Sequence, residues 1–242
     1  MLLIDNLSVK YSSGKRGSKK AVDSLSFAVK KGEIYGFLGP NGAGKTTTIK
    51  TILGIINPSS GRVLILDKPV SREIRSRVGY MPEIANYYWY LTPEELLAFY
   101  GSVFGIPKQR LGAKISELLD MAGLINNRGQ LMKTFSKGML QKVSFAQALI
   151  NDPEFLILDE PTTGLDPIAK MNMRDTLIRL KKTGKTIFFS SHELSEVELI
   201  CDRVAIIKNG RLLRETPPKS IYDEKGAHIS LEQHFFDLVR NQ

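Results

Sequence analysis

A short apolar strand that runs directly into a glycine-rich turn constrains the fold of this chain more than any other feature. The strand is Ile34–Leu38, and the turn Gly39-Pro40-Asn41-Gly42-Ala43-Gly44-Lys45-Thr46 fits the pattern G-x-x-x-x-G-K-[ST]. Its glycines allow backbone N–H groups to point inward around phosphates, and a helix predicted from Lys45 to about Ile55 adds its positive end. We expect Lys45 to reach the phosphates and the Thr46 hydroxyl to bind Mg²⁺. A chance glycine-rich turn is the alternative, but the flanking strand and helix favour a phosphate-binding loop.

Two carboxylates follow another apolar run later in the chain. Phe155–Leu158 is typical of a buried parallel strand, and Asp159 and Glu160 come directly after it. Such a strand delivers its C-terminal residues to the ligand crevice of an α/β sheet. Asp159 is placed to hold Mg²⁺, directly or through water, and Glu160 to polarise a water that attacks a phosphoryl group. A solvated Asp-Glu strand end is a common alternative, but the phosphate-binding loop in the same chain favours the catalytic interpretation.

Strands and helices alternate around these motifs as in an α/β core. The apolar run Thr186–Ser190 predicts a further buried strand, preceded by a helix over Pro167–Thr183 that Asp166 can cap. Asn209-Gly210, between two apolar runs, predicts a β-hairpin. Shorter strands predict an antiparallel β region, with the polar segment Ser12–Lys20 as a hairpin loop; these strands are Leu2–Ile4, Ser8–Tyr11, Ser24–Val29 and Arg62–Leu66.

The middle of the chain, at about residues 84–150, predicts mostly helix. Thr92-Pro93-Glu94-Glu95 is a capping box with proline at the first helical position, and an apolar stripe follows it. The predicted fold class is therefore α/β: a P-loop NTPase core with an antiparallel β subdomain and an inserted α-helical subdomain. We place this domain at residues 1–213. Residues 214–242 form a C-terminal extension, in which Ser230 and Gln233 have capping-box spacing before a short amphipathic helix.

Composition limits the compartment and the partners. The formal net charge of +9 suits an anionic partner, whether a nucleotide, a nucleic acid or a lipid surface, and does not choose among them. Cys201 is the only cysteine, so no intramolecular disulfide can form and a reducing compartment is expected. The first residues lack the pattern of a signal peptide, and no run of 18 apolar residues occurs. We therefore expect any membrane process to take its channel from another chain.

Three further motifs resemble those of the ATP-binding cassette (ABC) ATPases. Phe135–Met139 resembles the family's LSGGQ signature, with Ser136 and Gly138 matched, and Pro161–Asp166 resembles its D-loop. His192 follows the strand Thr186–Ser190, as the family's switch histidine does. Taken alone, Ser136 could be an ordinary helix cap and His192 an incidental strand-end residue. The ordered set is specific, and the resemblance covers residues 1–213.

The resemblance implies that two such domains meet head to tail, with each ATP between the phosphate loop of one and the signature helix of the other. It implies catalytic roles for Glu160, His192 and Glu83, and Mg²⁺ ligation by Thr46, Glu83 and Asp159. Tyr11 matches the aromatic residue that stacks on adenine, although a strand-core role is the alternative. The implied ATP contacts are Tyr11, Gly39, Pro40, Asn41, Gly42, Ala43, Gly44, Lys45, Thr46, Thr47, Ser136, Gly138 and Asp166.

The expected partners are a second ATPase subunit, identical or paralogous, and an integral membrane permease subunit, with no nucleic acid. The chain would then lie on the cytoplasmic face of the cell membrane. The sequence departs from the family pattern at Lys137, Met139 and Glu83, which stand where glycine and two glutamines are usual. These departures resemble exporter-like members and favour export. The aromatic run Tyr87–Tyr90 would suit the groove that receives a helix of the membrane subunit, and a subdomain core is an equal alternative.

Other functional classes fit the sequence less well. A soluble ABC ATPase that acts on nucleic acid or ribosomes is the main alternative. DNA-repair members carry long coiled coils between the phosphate loop and the signature, but residues 46–136 contain no such heptad tract, and translation-type members usually carry two cassettes. A small-molecule kinase would share the phosphate loop but would not need the signature, the D-loop and His192 together.

Overall fold

The computed structural model describes residues 1–12, 18–84, 87–222 and 229–240. The chain forms two compact units, Met1–Ile74 with Thr186–Gln242, and Arg75–Lys185. The strands are β1 (Leu2–Ser12), β2 (Ser18–Val29), β3 (Ile34–Leu38), β4 (Ser60–Ile65), β5 (Lys68–Pro69), β6 (Val78–Met81), β7 (Phe155–Asp159), β8 (Thr186–Ser191), β9 (Arg203–Lys208) and β10 (Arg211–Thr216). The helices are α1 (Lys45–Ile52), α2 (Arg72–Arg75), α3 (Pro93–Val103), α4 (Lys108–Met121), α5 (Lys137–Ala148), α6 (Pro167–Lys182), α7 (Leu194–Ile200) and α8 (Leu231–Arg240).

The first unit contains the predicted antiparallel β region. β1 pairs with β2 and with β4, and β4 pairs with β5, all antiparallel. Two predicted strands, Leu2–Ile4 and Ser8–Tyr11, are one strand, because pairing with β2 continues through register shifts on either side of Leu7. Asn6 has a φ of 48°, a left-handed conformation that accommodates the register shift without ending the strand. The predicted loop over Ser12–Lys20 is shorter than expected, since β2 begins at Ser18, and its residues 13–17 lie outside the described part of the chain.

The first unit also contains the strand that leads into the glycine-rich turn. β3 is fully buried and lies between β8 and β9, parallel to both, and β10 completes a hairpin with β9. Asn209 and Gly210 turn this hairpin with φ values of 51° and 78°, which confirms the sequence prediction. Aromatic rings from β2, β3 and β8 fill the core, and Phe27 stacks on Tyr35 at 5.5 Å between ring centroids. Burial on both faces explains why β3 is uniformly apolar.

The second unit contains the parallel pair β6 and β7 together with α3, α4, α5 and α6. α3 begins with the predicted capping box: the Thr92 hydroxyl accepts a hydrogen bond from the Glu95 N–H, and the Glu95 carboxylate accepts one from the Thr92 N–H. Leu96 and Leu97 are fully buried, as the apolar stripe predicts. Phe99 and Val103 from the same stripe are more than half exposed, so only part of the stripe is buried. The limits 84–150 of a separate helical subdomain stay a prediction.

The end of the described chain forms the predicted amphipathic helix, α8. The Ser230 hydroxyl accepts a hydrogen bond from the Gln233 N–H, so Ser230 caps the helix as its spacing indicates. Leu231 is fully buried, whereas Phe236 is 44% exposed. Cys201, at the end of α7, is buried as a small apolar residue. None of the helices within the described ranges combines the length and apolar character needed to span a membrane.

Candidate nucleotide-binding site

At its last glycine, the glycine-rich turn has a backbone conformation that only glycine adopts without strain. Gly44 directly precedes α1 and has a φ of 106°. A Cβ atom at this position would lie 2.6 Å from the carbonyl oxygen of Ala21, a backbone atom that cannot rotate away. Gly39, at the start of the turn, is equally confined, because a Cβ there would lie 2.6 Å from the carbonyl oxygen of Ile207. The loop is therefore held against β2 and β9 by close backbone contacts.

Lys45 crosses the turn that it follows. Its side chain is only 8% exposed, and its Nζ donates a hydrogen bond of 2.6 Å to the carbonyl oxygen of Gly39. The ammonium group thus lies over the loop, within reach of an anion held by the loop amides. Helix α1 begins at Lys45 and presents its positive end to the same place. This arrangement can neutralise and orient a phosphate chain.

The neighbouring predicted contacts lie on the outer side of the same loop. Asn41 and Thr46 are exposed, and Pro40 and Thr47 are half-buried. The Tyr11 hydroxyl lies 3.3 Å from the Thr47 Oγ1, so the structure brings these two predicted residues together. Tyr11 is 43% exposed, which rules out the alternative of a strand-core aromatic. An exposed ring beside a phosphate loop is available for stacking on a base.

His192 belongs to the same unit and to the same sheet edge as the loop. β3 and β8 are parallel, with Leu38 opposite Ser191, the last residue of each strand. Gly39 and His192 are the residues that follow, so the phosphate loop and the histidine begin side by side. His192 is exposed. Its position at the carboxyl ends of parallel strands is where α/β proteins bind their ligands.

In the second unit the acidic strand end is buried. Asp159 is the last residue of β7 and is 2% exposed, and Glu160 is 4% exposed. Glu160 has a φ of 53°, a left-handed conformation that is uncommon for residues other than glycine. Such strained conformations cluster at functional sites. Burial excludes the alternative of a solvated Asp-Glu strand end.

Glu83 lies near Asp159 at the edge of the β6–β7 pair. The two strands are parallel, with Met81 opposite Leu158, so Glu83 and Asp159 follow at the same edge. Burial raises the pKa of Tyr80 to about 12, and the negative charges of Asp159 and Glu83 contribute in the same direction. Both carboxylates therefore face one neighbourhood, although Asp159 is buried and Glu83 is exposed.

The signature and D-loop residues occupy two helix starts in the second unit. The exposed Ser136 caps α5, and its Oγ accepts a hydrogen bond from the Met139 N–H at 3.2 Å. Asp166 caps α6 through a 2.9 Å bond from the Ala169 N–H. A Cβ on Gly138 would lie 3.3 Å from the carbonyl oxygen of Gly164, so the two segments touch there. Helix capping is a sufficient local role for both Ser136 and Asp166. It also leaves the Ser136 hydroxyl beside the positive end of α5.

The chemistry of these residues fits a magnesium ion. Each predicted magnesium ligand offers a hard oxygen atom, which Mg²⁺ prefers: Thr46 in the first unit, and Asp159 and Glu83 in the second. Within the described residues, no group of three or more histidine, cysteine, aspartate or glutamate residues is arranged to hold a metal by itself. Magnesium in phosphate-binding proteins usually keeps one or two protein ligands and completes its shell with phosphate and water. The donors present suit an ion that arrives with a nucleotide.

A residue outside the predicted motifs also contacts the acidic strand end. Gln141, on α5, is 3% exposed, and its Nε2 donates a hydrogen bond of 3.0 Å to the carbonyl oxygen of Glu160. A polar residue on a largely buried helix face is the signal that could have marked it, since buried amides need partners.

A buried strand, a glycine-rich loop with a buried lysine, and carboxylates at the end of another buried strand define the class of P-loop NTPases. The family model described as ABC transporter matches residues 22–163, more than half of the chain. The chain belongs to the ABC transporter family, as an ATP-binding domain.

Relatives and solved structures agree with this assignment. An uncharacterised ABC transporter ATP-binding protein of Synechocystis is 49% identical over 80% of this chain and 56% of its own length. The chain thus spans little more than half of that relative. A Nod factor export ATP-binding protein of Burkholderia lata is 42% identical over 86% of this chain and 70% of its own length.

Two solved structures share the fold. The structure of an ATP-binding subunit of an ABC transporter is 30% identical and superposes with a TM-score of 0.88 over 99% of each chain. A dimeric bacterial ABC transporter cassette is 25% identical, with a TM-score of 0.83, over 90% of this chain and 98% of that one. The predicted fold class, a P-loop core with antiparallel β and helical parts, is confirmed by these neighbours.

Proposed function

We propose that this chain binds and hydrolyses ATP, and that the hydrolysis energises substrate transport, in the direction of export, through a separate integral membrane permease subunit. The observation that carries the proposal is the phosphate loop: the Gly44 backbone excludes any side chain, and the buried Lys45 ammonium lies across the loop at 2.6 Å from Gly39. Few chemical groups other than a nucleotide's phosphate chain need such a cradle.

The proposed roles follow from the position of each residue. The amides of Gly39–Thr47 and the Lys45 ammonium bind the phosphates, and Tyr11 stacks on the adenine. Glu160 orients and deprotonates the attacking water, while His192 contacts the γ-phosphate. A bound Mg²⁺ would be held by Thr46 with Asp159 and Glu83, and it would neutralise charge on the phosphates. Catalysis of phosphoryl transfer depends mainly on positioning and charge stabilisation, which this set of residues supplies.

Assembly completes the proposed site. Ser136, Gly138 and Asp166 would contact an ATP bound to the phosphate loop of a second ATPase subunit, because the exposed Ser136 lies at the positive end of α5. The dimeric cassette with a similar fold supports this arrangement. The second subunit is a copy of this chain or a paralogue.

The aromatic residues after Glu83 support a docking role toward the permease. Tyr88, Trp89 and Tyr90 are 54%, 53% and 69% exposed, so for these three the alternative of a subdomain core is wrong. Tyr87 is the exception, since burial raises its pKa well above the usual range of tyrosine. Exposed aromatic groups are typical anchors of protein interfaces. The protein would then lie on the cytoplasmic face of the cell membrane, with its ATPase domain at residues 1–213 and an extension at residues 214–242.

Export is supported by the relative from Burkholderia lata, whose name is that of an export protein, and by the departures at Lys137, Met139 and Glu83. The names of the matched relatives favour transport over action on nucleic acid. The test is purification of the tagged chain from a detergent extract, followed by phosphate-release assays on the complex. An integral membrane protein should co-purify, and its presence should alter the rate of ATP hydrolysis. Recovery of ribosomes or nucleic acid without a membrane protein would overturn the transport assignment.

A further inference from the structure

The turn between β7 and α6 begins at Glu160 and is held in an unusual shape. Glu160 has a φ of 53°, which residues with a side chain rarely adopt, so neighbouring contacts must maintain it. Two backbone hydrogen bonds close the turn on itself, from the Thr163 N–H to the Glu160 oxygen and from the Leu165 N–H to the Thr162 oxygen, each at 3.2 Å. The Thr163 hydroxyl also donates a hydrogen bond of 3.5 Å to the Glu160 carboxylate. These short-range bonds do not tie the turn to the rest of the unit.

Helix α5 contacts this turn at its beginning. The Gln141 side chain is 3% exposed, and its Nε2 donates a hydrogen bond of 3.0 Å to the carbonyl oxygen of Glu160. The bond fixes the carbonyl group of Glu160 and so restrains the backbone from which its side chain extends. Because the Gln141 amide is buried, the fold determines both its hydrogen-bond partner and the distance to that partner.

The same helix contacts the turn again near its end. A Cβ on Gly164 would lie 3.0 Å from the Cδ and 3.2 Å from the Cε of Lys137, so the methylene stem of Lys137 lies directly against Gly164. Lys137 and Gln141 are four residues apart on α5 and therefore share one face of the helix. The carbonyl oxygen of Gly164 also lies close to Gly138.

We infer that α5 positions the Glu160 carboxylate through these two contacts, the Gln141 hydrogen bond at one end of the turn and the Lys137 stem at the other. The inference rests on the proposed ATPase function, in which Glu160 is the group that meets the attacking water. Gln141 and Lys137 are positioning residues, because they touch the turn and not the reacting atoms. The lysine that departs from the family signature thus covers Gly164, where a glycine at position 137 would leave an open space.

Catalysis should respond steeply to this positioning, because a displacement of about 1 Å in a reacting group can reduce a rate by roughly 100-fold. The test compares Gln141→Met, which keeps the volume but removes the donor, with the pair Lys137→Gly and Lys137→Met. Methionine preserves most of the stem and removes the charge. For each variant, steady-state ATP hydrolysis gives kcat and KM, and hydrogen–deuterium exchange follows the amides of residues 160–165.

Gln141→Met should lower kcat by about 10-fold or more while KM for ATP changes by less than about twofold, because binding energy is retained and only the transition state is affected. Lys137→Gly should also lower kcat, whereas Lys137→Met should keep the wild-type kcat. Amide exchange in residues 160–165 should be faster in Gln141→Met and Lys137→Gly and unchanged in Lys137→Met.

Equal losses of kcat in Lys137→Gly and Lys137→Met would mean that catalysis depends on the Lys137 ammonium and not on its methylene stem. That result would overturn the inference for Lys137. A fall in kcat without faster exchange in residues 160–165 would overturn it for both residues. If Gln141→Met fails to fold, the exposed Lys137 pair decides the question. If the wild-type chain releases no phosphate from ATP, the proposed function fails, whereas the exchange measurements still decide whether α5 holds the turn.

Discussion

Among single residues, Lys45 has the most direct relation to nucleotide binding. Lys45→Ala should weaken ATP binding by roughly 100-fold, since a charge-assisted hydrogen bond contributes up to about 3 kcal/mol. A fluorescent ATP analogue measures the affinity, and phosphate release measures the turnover. Lys50→Ala is the control, because Lys50 is an exposed lysine near the other end of α1. Wild-type turnover in Lys45→Ala would remove the phosphate-loop assignment.

Glu160→Gln separates binding from chemistry. The amide keeps the shape of the side chain but cannot accept a proton, so turnover should fall by roughly 100-fold to 10,000-fold while ATP affinity is retained. ATP that is bound and not hydrolysed should hold two subunits together, and sizing chromatography with ATP should show a dimer. Glu117→Gln, at an exposed position of α4, is the matched control. A monomer at every protein and ATP concentration would contradict the proposed shared site.

Local motifs predict some residues well and others not at all. The lysine of the phosphate loop could be predicted because its neighbours in sequence are also its neighbours in space. Gln141 and Glu160 are 19 residues apart, and their bond depends on the rotation of α5 relative to the turn after β7. A sequence pattern does not contain that rotation, and the left-handed φ of Glu160 leaves no signal in the residue type.

Among the elements, the junction of the phosphate loop with α1 depends most strictly on its geometry. Gly44→Ala should destabilise the fold by about 1–3 kcal/mol, because the φ of 106° is strained for alanine and the Cβ meets the Ala21 oxygen. Thermal or urea unfolding measures the change, and ATP affinity should fall with it.

Gly112→Ala is the matched substitution for that measurement. Gly112 lies within α4, and a Cβ there has no neighbouring atom within 4 Å. Alanine should therefore stabilise the fold by about 0.5–1 kcal/mol through helix propensity. If both glycines tolerate alanine equally, the close approach of the loop to Ala21 is not important for stability.

Elements with local start and stop signals were predicted with small errors. The hairpin at Asn209-Gly210 and the caps at Thr92, Asp166 and Ser230 are confirmed, because turn and cap chemistry acts over a few residues. α1 ends at Ile52 and not near Ile55, since the chain leaves the helix at Gly54 with a φ of 70°. The short elements β5 and α2 could not be predicted, as each is too brief to show a periodic pattern.

For the whole molecule, the main expectation concerns coupling to a membrane partner. The double substitution of Tyr88 and Trp89 by alanine should weaken assembly with the permease or abolish transport, because exposed aromatic anchors typically each contribute about 2 kcal/mol or more to an interface. ATP hydrolysis by the isolated chain should change much less. The two measurements are co-purification with the membrane partner and phosphate release by the purified chain.

The control for that double substitution removes two exposed aromatic groups elsewhere. Tyr222 and Phe236 are 61% and 44% exposed, and their joint replacement by alanine should leave assembly unchanged. Unfolding of the Tyr88 and Trp89 variant would show that the two rings stabilise the fold. Normal assembly and normal transport would place the docking surface elsewhere.

The class of the whole fold could be predicted from sequence, but the order of its strands could not. Alternating apolar strands and helices, with a phosphate loop after one strand, restrict the chain to an α/β core. The position of β3 between β8 and β9 depends on pairings between residues more than 150 positions apart. Long-range pairings of buried strands are decided by packing, since every such strand is similarly apolar.

The first unit draws on both the beginning and the later part of the chain, and this has a consequence for biosynthesis. A ribosome makes Met1–Ile74 early, yet β3 gains its parallel neighbours only when Thr186–Ser191 and Arg203–Lys208 have emerged. At about 5–20 residues per second, the glycine-rich loop waits roughly 7–30 s before its sheet can form. Arg75–Lys185 is continuous and can collapse during that delay. The nascent chain therefore carries β3 without its parallel neighbours throughout that interval, a period in which a chaperone would find an apolar strand to protect.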